Sequence, residues 1–333
     1  MKLVQPGHRY ISHEGLTPQQ FIEKIGRICY KSTDKITEDS AAKFVDNLIK
    51  NKHFAMLEHE TVYVRVSNRT LKNLIEQLYR NRMEPNFLHI TYDYDCQKEN
   101  IEDVRYSIIS GNIRSFYDIF IHTSTSPMCP DWNKLLILFQ VEYPWAYSSI
   151  QSEYIEDTWH NSTGILSREE FINYCKYINN DQLLFHHLTH TVKFICDRGV
   201  SHELVRHRPC SFAQESTRYC NYSNDKFGNE ITVIEPIFYK DKDMLNGVWR
   251  TLCLASESAY FTLLARGSTP QEARDVLPQS LKTEIVLTAT EEEWQHIVDL
   301  RSKGTTGKPH PQMLEIMQPC HKELNQITEG RIR

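Results

Sequence analysis

Glycine is scarce in this chain, with 12 among 333 residues. Neither G-x-G-x-x-G nor G-x-x-x-x-G-K-[ST] occurs, which argues against the two common glycine-built phosphate sites. A nucleotide bound here must be held by side chains. Excess positive charge is also missing: 38 Lys+Arg face 43 Asp+Glu, a formal net charge of −5. Phosphate-backbone affinity comes from massed cations, so no nucleic-acid partner is expected. The nine cysteines are spread without a C-x-x-C pair, as reduced thiols would be. No apolar run reaches the length of a membrane span, and the first residues lack the apolar core of a signal peptide. A soluble, cytoplasmic protein without a membrane partner is the expectation.

What is present is an ordinary globular composition, 40% hydrophobic and 24% charged. Thr17-Pro18 followed by Phe21, Ile22, Ile25 and Ile28 predicts a capped amphipathic helix, and Phe44, Val45, Leu48 and Ile49 a second. Val62, Val64 and Val66 alternate as a strand does, after which Ser67 can cap a helix through Leu71, Leu74 and Leu78. Further along, Arg105 to Ile109 reads as a strand, Asn112 to Ile121 as a helix, and Thr123 to Pro130 as a loop. Thr191 to Cys196 reads as a strand. A short helix follows, begun by Asp197 or Ser201 and stopped near Arg208 by Pro209. Ala255 to Arg266, Pro270 to Leu277 and Glu291 to Arg301 read as helices. Strands and helices do not alternate regularly, and no repeat is visible, so an α+β fold is expected.

Arg206 to Tyr219 is the densest polar run: three arginines, a histidine and three hydroxyl residues within fourteen positions. Arginine forks recognise phosphate or a pyrimidine edge through paired hydrogen bonds, and hydroxyls on a turn add donors to an anion. Such a segment can clamp a nucleoside monophosphate without glycine. A solvated basic helix end followed by a polar loop is the bland alternative.

Arg206-His207-Arg208, then seven residues, Ser216, and Arg218 resembles the signature of the flavin-dependent thymidylate synthases, the ThyX family. Three further segments in the same order share the resemblance. They are His53-Phe54-Ala55-Met56-Leu57-Glu58-His59, Ala273-Arg274-Asp275-Val276-Leu277-Pro278, and Leu300-Arg301. The resemblance covers about 1–80 and 185–320. It implies a single ThyX-like catalytic domain over 1–333 with a mixed helix and sheet fold and an insertion at about 81–185. Its implied reaction is reductive methylation of dUMP to dTMP by FAD, with 5,10-methylenetetrahydrofolate and NADPH as co-substrates, in a homotetramer that shares its sites. The insertion then serves as a lid, an oligomer contact or a partner module. Its aromatic residues Tyr92, Tyr94, Tyr106, Phe116, Tyr117, Trp132, Trp145 and Tyr147 favour burial.

By that resemblance Arg301 stabilises charge developing on the pyrimidine, and Arg206 faces both substrate and cofactor. Glu203, Gln214, Glu215, Ser216, Thr217, Arg218 and Arg274 hold the substrate. His53, Glu58, His207, Arg208, Gln214, His296 and His310 bind or border the cofactor. Ser216 is counted with the catalytic pair Arg301 and Arg206 but acts as a binding hydroxyl, since no histidine is placed beside it as a base. No metal is expected. Departures from the family pattern are Ala55, Glu203, Ala213, Gln214, Thr290, Glu292 and His296. Glu292 stands where the family often presents Arg to FAD, and a carboxylate cannot pair with a diphosphate. Glu203 in place of Gln keeps dCMP, or a hydroxymethylated product, open as an alternative. A catalytically silent relative that binds nucleotide or RNA is the rival outside enzymes.

Three lesser signals have plainer explanations than catalysis or metal binding. The Pro319-Cys320-His321 run resembles the nucleophile segment of the unrelated cysteine-dependent thymidylate synthases, but its flanks do not match. His186, His187 and His190 on one helix could ligate zinc, though a packed cluster is preferred. Gly304 to Lys308 has too few residues for a Walker loop and reads as a flexible loop beside Arg301.

Overall fold

The computed structural model describes residues 1–83, 88–91, 106–124, 126, 128–152 and 163–333. Tyr92, Tyr94 and Arg105 lie outside them. The chain divides into two units, one of Met1–Thr17, Glu23–Glu38 and His190–Arg333, the other of Pro18–Ile22 and Asp39–Thr189. Helix and sheet mix in both, as an α+β fold requires.

In the first unit a four-stranded sheet has the order Gly7–Tyr10, Thr189–Asp197, Lys282–Thr290, Ser211–Gln214. The two outer pairs are antiparallel, with Tyr10 opposite Val192 and Gln214 opposite Ile285. Lys282–Thr290 alternates Ile285 and Leu287 inward, where they join Val192, Phe194, Trp294, Met313 and Ile316 in one apolar cluster. Trp294 is fully buried and donates its indole N–H to the His190 carbonyl at 2.9 Å, so its one polar atom is satisfied. Lys2–Val4 and Thr232–Ile234 form a separate parallel pair.

In the second unit the sheet order is Leu88–Thr91, Tyr106–Asn112, Thr61–Ser67, Gly164–Leu166, all pairs antiparallel. Phe116, Phe120, Trp132, Phe139 and Tyr147 are buried and stack on one another at centroid distances between 4.6 and 6.2 Å. Their buried polar ends reach the backbone: Trp132 donates to the Leu74 carbonyl and Tyr147 to that of Ile113, both at 2.9 Å.

Four strands run directly into helices, and in each case the last strand residue caps the helix. Ser67, Asn112, Asp197 and Thr290 accept from the backbone N–H three residues on, at 3.1, 2.8, 2.7 and 3.3 Å. The device recurs in both units although no repeat shows in the sequence. Several elements depart from the expected bounds. The helix capped by Asp197 is Arg198–Leu204 and stops before Arg206, and Ala255 to Arg266 proves part of a longer helix, Asp243–Ala265. The helix begun at Glu291 keeps α geometry only to Val298 and continues as a π-helical turn, Asp299–Lys303.

Candidate functional site

Arg301 sits in that π turn, a widening of the helix that is frequent at functional sites. Gly304 ends the turn with a φ of +73°, and a Cβ there would meet Pro309 Cδ at 2.7 Å and the Gly307 carbonyl at 2.8 Å. Only glycine fits both the conformation and the space. Thr305 N donates to the Asp299 carbonyl at 3.0 Å and Gly307 N to that of Gly304 at 3.2 Å, so Gly304 to Lys308 is a pinned turn and not a flexible loop.

Three bonds fix the Arg301 guanidinium. Nη1 donates to Glu203 Oε2 at 2.7 Å, Nη2 to the Glu203 carbonyl at 3.2 Å, and Nε to His207 Nε2 at 3.0 Å. Arginine carries five N–H donors, so two have no acceptor among the described residues. Asp197 caps Arg198–Leu204, the helix whose end delivers Glu203 and, just beyond it, His207. Burial, then the positive charge of Arg301 and the neighbouring His296, hold His207 down at about 4, which leaves it a neutral acceptor at pH 7. Arg206 and Arg208, on either side, are exposed, and neither side chain has a partner among the described residues.

Helix Glu291–Val298 borders the same place. Thr290 spends its hydroxyl on the cap, and three glutamates follow in the first turn, a favourable placement for the helix dipole. Glu291 is buried and satisfied: Arg331 donates twice to it, at 2.7 and 2.9 Å, and His190 lies 2.9 Å away. Glu293 differs. Its Oε1 is buried without a hydrogen-bond partner, and burial, then Glu292, push its carboxyl up to about 7. His296 lies exposed one turn later, its ring 5.9 Å from that of His207.

The Ser216 turn is anchored from beneath. Strand Ser211–Gln214 ends with the Gln214 amide donating to Ser201 Oγ at 2.9 Å and Thr283 Oγ1 at 3.2 Å. Glu215 then turns inward, its carboxylate 3.0 Å from Lys282 and 3.4 Å from Lys31, and its N–H donates to the Glu284 carbonyl at 2.9 Å. Glu284 in turn pairs with Lys31, with Lys282 at 2.7 Å and with Lys193 at 3.1 Å. Burial opposes ionisation of Glu284, but Lys282 and Lys31 overcome it and hold the carboxyl down at about 2. Burial lowers Lys31, aided by neighbouring Lys282; the same penalty on Lys282 is overcome by the two carboxylates, which raise it.

A cavity of about 770 Å³ opens beside this network, lined by Arg27, Tyr30, Lys31, Glu215, Tyr222 and Lys282 among others. Ser216, Thr217 and Arg218 follow Glu215 in a turn in which Arg218 N donates to Ser216 Oγ at 3.3 Å. Arg218 Nε reaches Gln271 at 3.3 Å, on the short helix Pro270–Ala273 that leads into Arg274. Arg274 is exposed. Sequence reasoning missed Lys31, Lys193, Lys282 and Glu284. One cue was available: Lys282 and Glu284 are two apart on a strand and so share a face.

In the other unit, His53 is exposed just before the 3₁₀ turn Phe54–His59, and Glu58 pairs with Arg114. Burial raises the Glu58 carboxyl despite that arginine. His310 is exposed at the start of helix Pro311–Ile327, its ring 5.7 Å from Phe238. Cys320 lies inside that helix, fully buried, and burial pushes its thiol far up, which removes it as a nucleophile. The histidine trio is not on one helix. His186 and His187 end helix Asp181–His187, whereas His190 is on a strand and bonds Tyr10 and Glu291. His187 is packed between Ser110 and Thr91, both at 2.8 Å, and burial, then His89 and His186, hold it down at about 3.

The pinned Arg301 thus lies against His207, the middle residue of the Arg-His-Arg run. The sequence model of the family described as "Thymidylate synthase complementing protein" matches residues 11–125 and 137–328, and the chain belongs to that family. The match takes in most of 81–185 as well as the segments that carry the motifs. Among curated relatives, a protein of Thermococcus kodakarensis named "Flavin-dependent thymidylate synthase" is 36% identical over 107 residues, 32% of this chain and 43% of that one. One of Pyrococcus furiosus with the same name is 34% identical over 106 residues, again 32% and 43%. The chain thus spans under half the length of these relatives. A solved structure described as a UMP/dUMP methylase PolB from Streptomyces cacaoi bound with 5-Br UMP overlaps at a TM-score of 0.37 with 19% identity. That overlap covers 50% of this chain and 83% of that one. A likeness this loose carries no argument about the site.

Proposed function

We propose that this chain is a flavin-dependent thymidylate synthase that converts dUMP to dTMP, with FAD as cofactor and 5,10-methylenetetrahydrofolate and NADPH as co-substrates. The carrying observation is Arg301: a guanidinium fixed by three hydrogen bonds, with two N–H groups still free. Reduction of the uracil ring places negative charge on its oxygen and nitrogen atoms. A cation already locked in place stabilises that charge without reorganising. Glu203 and neutral His207 are the groups that orient it. Arg206 and Arg208, exposed and unpaired among the described residues, suit the anionic groups of a cofactor. Glu292 is unsuited to a diphosphate, so the two arginines would carry that contact. When bound, the flavin supplies the hydride chemistry; the chain binds and orients.

Ser216, Thr217, Arg218 and Arg274 would hold the nucleotide's phosphate and sugar, with Glu215 and Gln214 shaping the turn from below. His53, Glu58, His296 and His310 remain proposed neighbours of the cofactor. A homotetramer is proposed too, and helix Asp243–Ala265 offers a surface for it: Met244, Val248 and Leu252, at helical spacing, are 87%, 61% and 63% exposed. A cytoplasmic site of action accords with the eight described cysteines forming no disulfide, and no described helix is long and apolar enough to cross a membrane.

Glu203 motivated dCMP as an alternative substrate, or a hydroxymethylated product. Because Glu203 Oε2 is occupied by Arg301, the carboxylate has a role that needs no cytosine, which favours dUMP. The deciding experiment incubates the pure chain with FAD, NADPH, methylenetetrahydrofolate and either dUMP or dCMP, and weighs the product. A gain of one methyl group on dUMP is expected, and Arg301→Ala should remove it while the protein stays yellow. Turnover of dCMP alone, or a chain that takes up no FAD, would overturn the reading; the latter outcome is the one a silent nucleotide-binding relative would give.

A further inference from the structure

We propose that His207, Glu293 and His296 form a site for a divalent first-row transition ion of the zinc class, and that filling it detaches Arg301 from His207. One donor atom from each side chain lies within 4.8 Å of the other two. Glu293 and His296 are three apart on one helix and so share a face. His207 comes to them from just past the end of Arg198–Leu204. Both helices are fixed at their starts, by the Thr290 and Asp197 caps.

Two imidazole nitrogens and a carboxylate oxygen are the ligand set of zinc sites that keep one position open. Such donors, at bonds of about 2.0–2.1 Å, sit about 3.4 Å apart, so the three must close in. His296 is exposed on its helix and free to supply that movement by changing rotamer. The second observation is Glu293 Oε1, buried with no hydrogen-bond partner among the described residues. A buried carboxylate oxygen left unsatisfied is costly, and an ion would satisfy it.

The consequence for Arg301 follows from imidazole chemistry. His207 Nε2 accepts from Arg301 Nε at 3.0 Å, so in the neutral ring Nδ1 carries the proton. A metal ion requires a nitrogen lone pair. Taken at Nε2, it displaces the Arg301 N–H; taken at Nδ1, it sends the proton to Nε2, which then can no longer accept. Whichever nitrogen ligates, the metal and the Arg301–His207 hydrogen bond exclude one another, leaving Arg301 on Glu203 alone. A bound ion would therefore act as an inhibitor of the reaction proposed above. That inhibition rests on the proposed role of Arg301, whereas the binding site does not.

The test is a titration of the full chain, stripped with chelator and dialysed, with Co²⁺ followed by its visible absorption and then displaced with Zn²⁺. One Co²⁺ per chain, with the intense band of a four- or five-coordinate site, is expected. His296→Asn and Glu293→Gln should each weaken it at least tenfold with an unchanged thermal melt. No visible band, or a band indifferent to both substitutions, overturns the site. If Co²⁺ binds as expected yet the chain lacks any synthase activity, the failure belongs to the functional reading and not to the metal site. Where activity is present, Zn²⁺ should depress it in the wild type and at least tenfold less in His296→Asn; equal inhibition of both overturns the link to Arg301.

Discussion

Replacing Glu284 by Gln isolates the charge network under the Ser216 turn. The side chain keeps its shape, but Lys31, Lys193 and Lys282 lose the carboxylate all three approach. Holding a carboxyl at about 2 instead of its ordinary 4.5 corresponds to about 3 kcal/mol of stability near neutral pH. Because the folded value is the depressed one, this stabilisation is complete above the unfolded value of 4.5. It is lost as pH falls towards and through about 2. Calorimetric melts of wild type and Glu284→Gln should therefore differ by about 3 kcal/mol at pH 7, and by roughly two-fifths less at pH 3.5. A gap at pH 7 below about 0.5 kcal/mol, or one that does not shrink with acid, would refute the electrostatic account.

Two further substitutions probe the frame around Arg301. Gly304→Ala puts a Cβ into Pro309 and the Gly307 carbonyl at a φ of +73°, so the melt should drop by about 1–3 kcal/mol and methylation should fall with it; an unchanged melt would show that the turn yields freely. Arg331→Ala strips the paired donor from fully buried Glu291 and should cost about 3–5 kcal/mol. Urea unfolding measures it, and a loss under about 1 kcal/mol would mean that His190 alone suffices.

Local signals were legible in the sequence wherever a residue acts on its own neighbours. Ser67 caps the helix it was expected to start, and of the two starts offered for the next, Asp197 and Ser201, Asp197 is the cap, because a cap needs only the next three residues. The aromatic residues of 81–185 announced burial, and of those described Phe116, Trp132 and Tyr147 are buried while Tyr106, Tyr117 and Trp145 are half-buried. The extent of the family match across that stretch was not legible, since no local motif marks it. The histidine trio misled because the change from helix to strand at Thr189 depends on pairing with distant strands, not on the two residues between His187 and His190.

The sequence by itself determined which side chains were available to an anionic ligand and, through four ordered motifs, the family. Its scarcity of glycine told where phosphate chemistry would not be; the one glycine that matters here, Gly304, closes a π turn and touches no phosphate motif. The tertiary structure alone decided what each charge does. Glu203, read as a substrate contact, grips Arg301, and Glu215 turns inward to Lys282. Glu293, unremarked in the sequence, is left beside His207 and His296 with a buried oxygen unsatisfied. Hydrogen bonds and ion pairs act over a few ångströms, and only folding brings residues so far apart in the chain within that range.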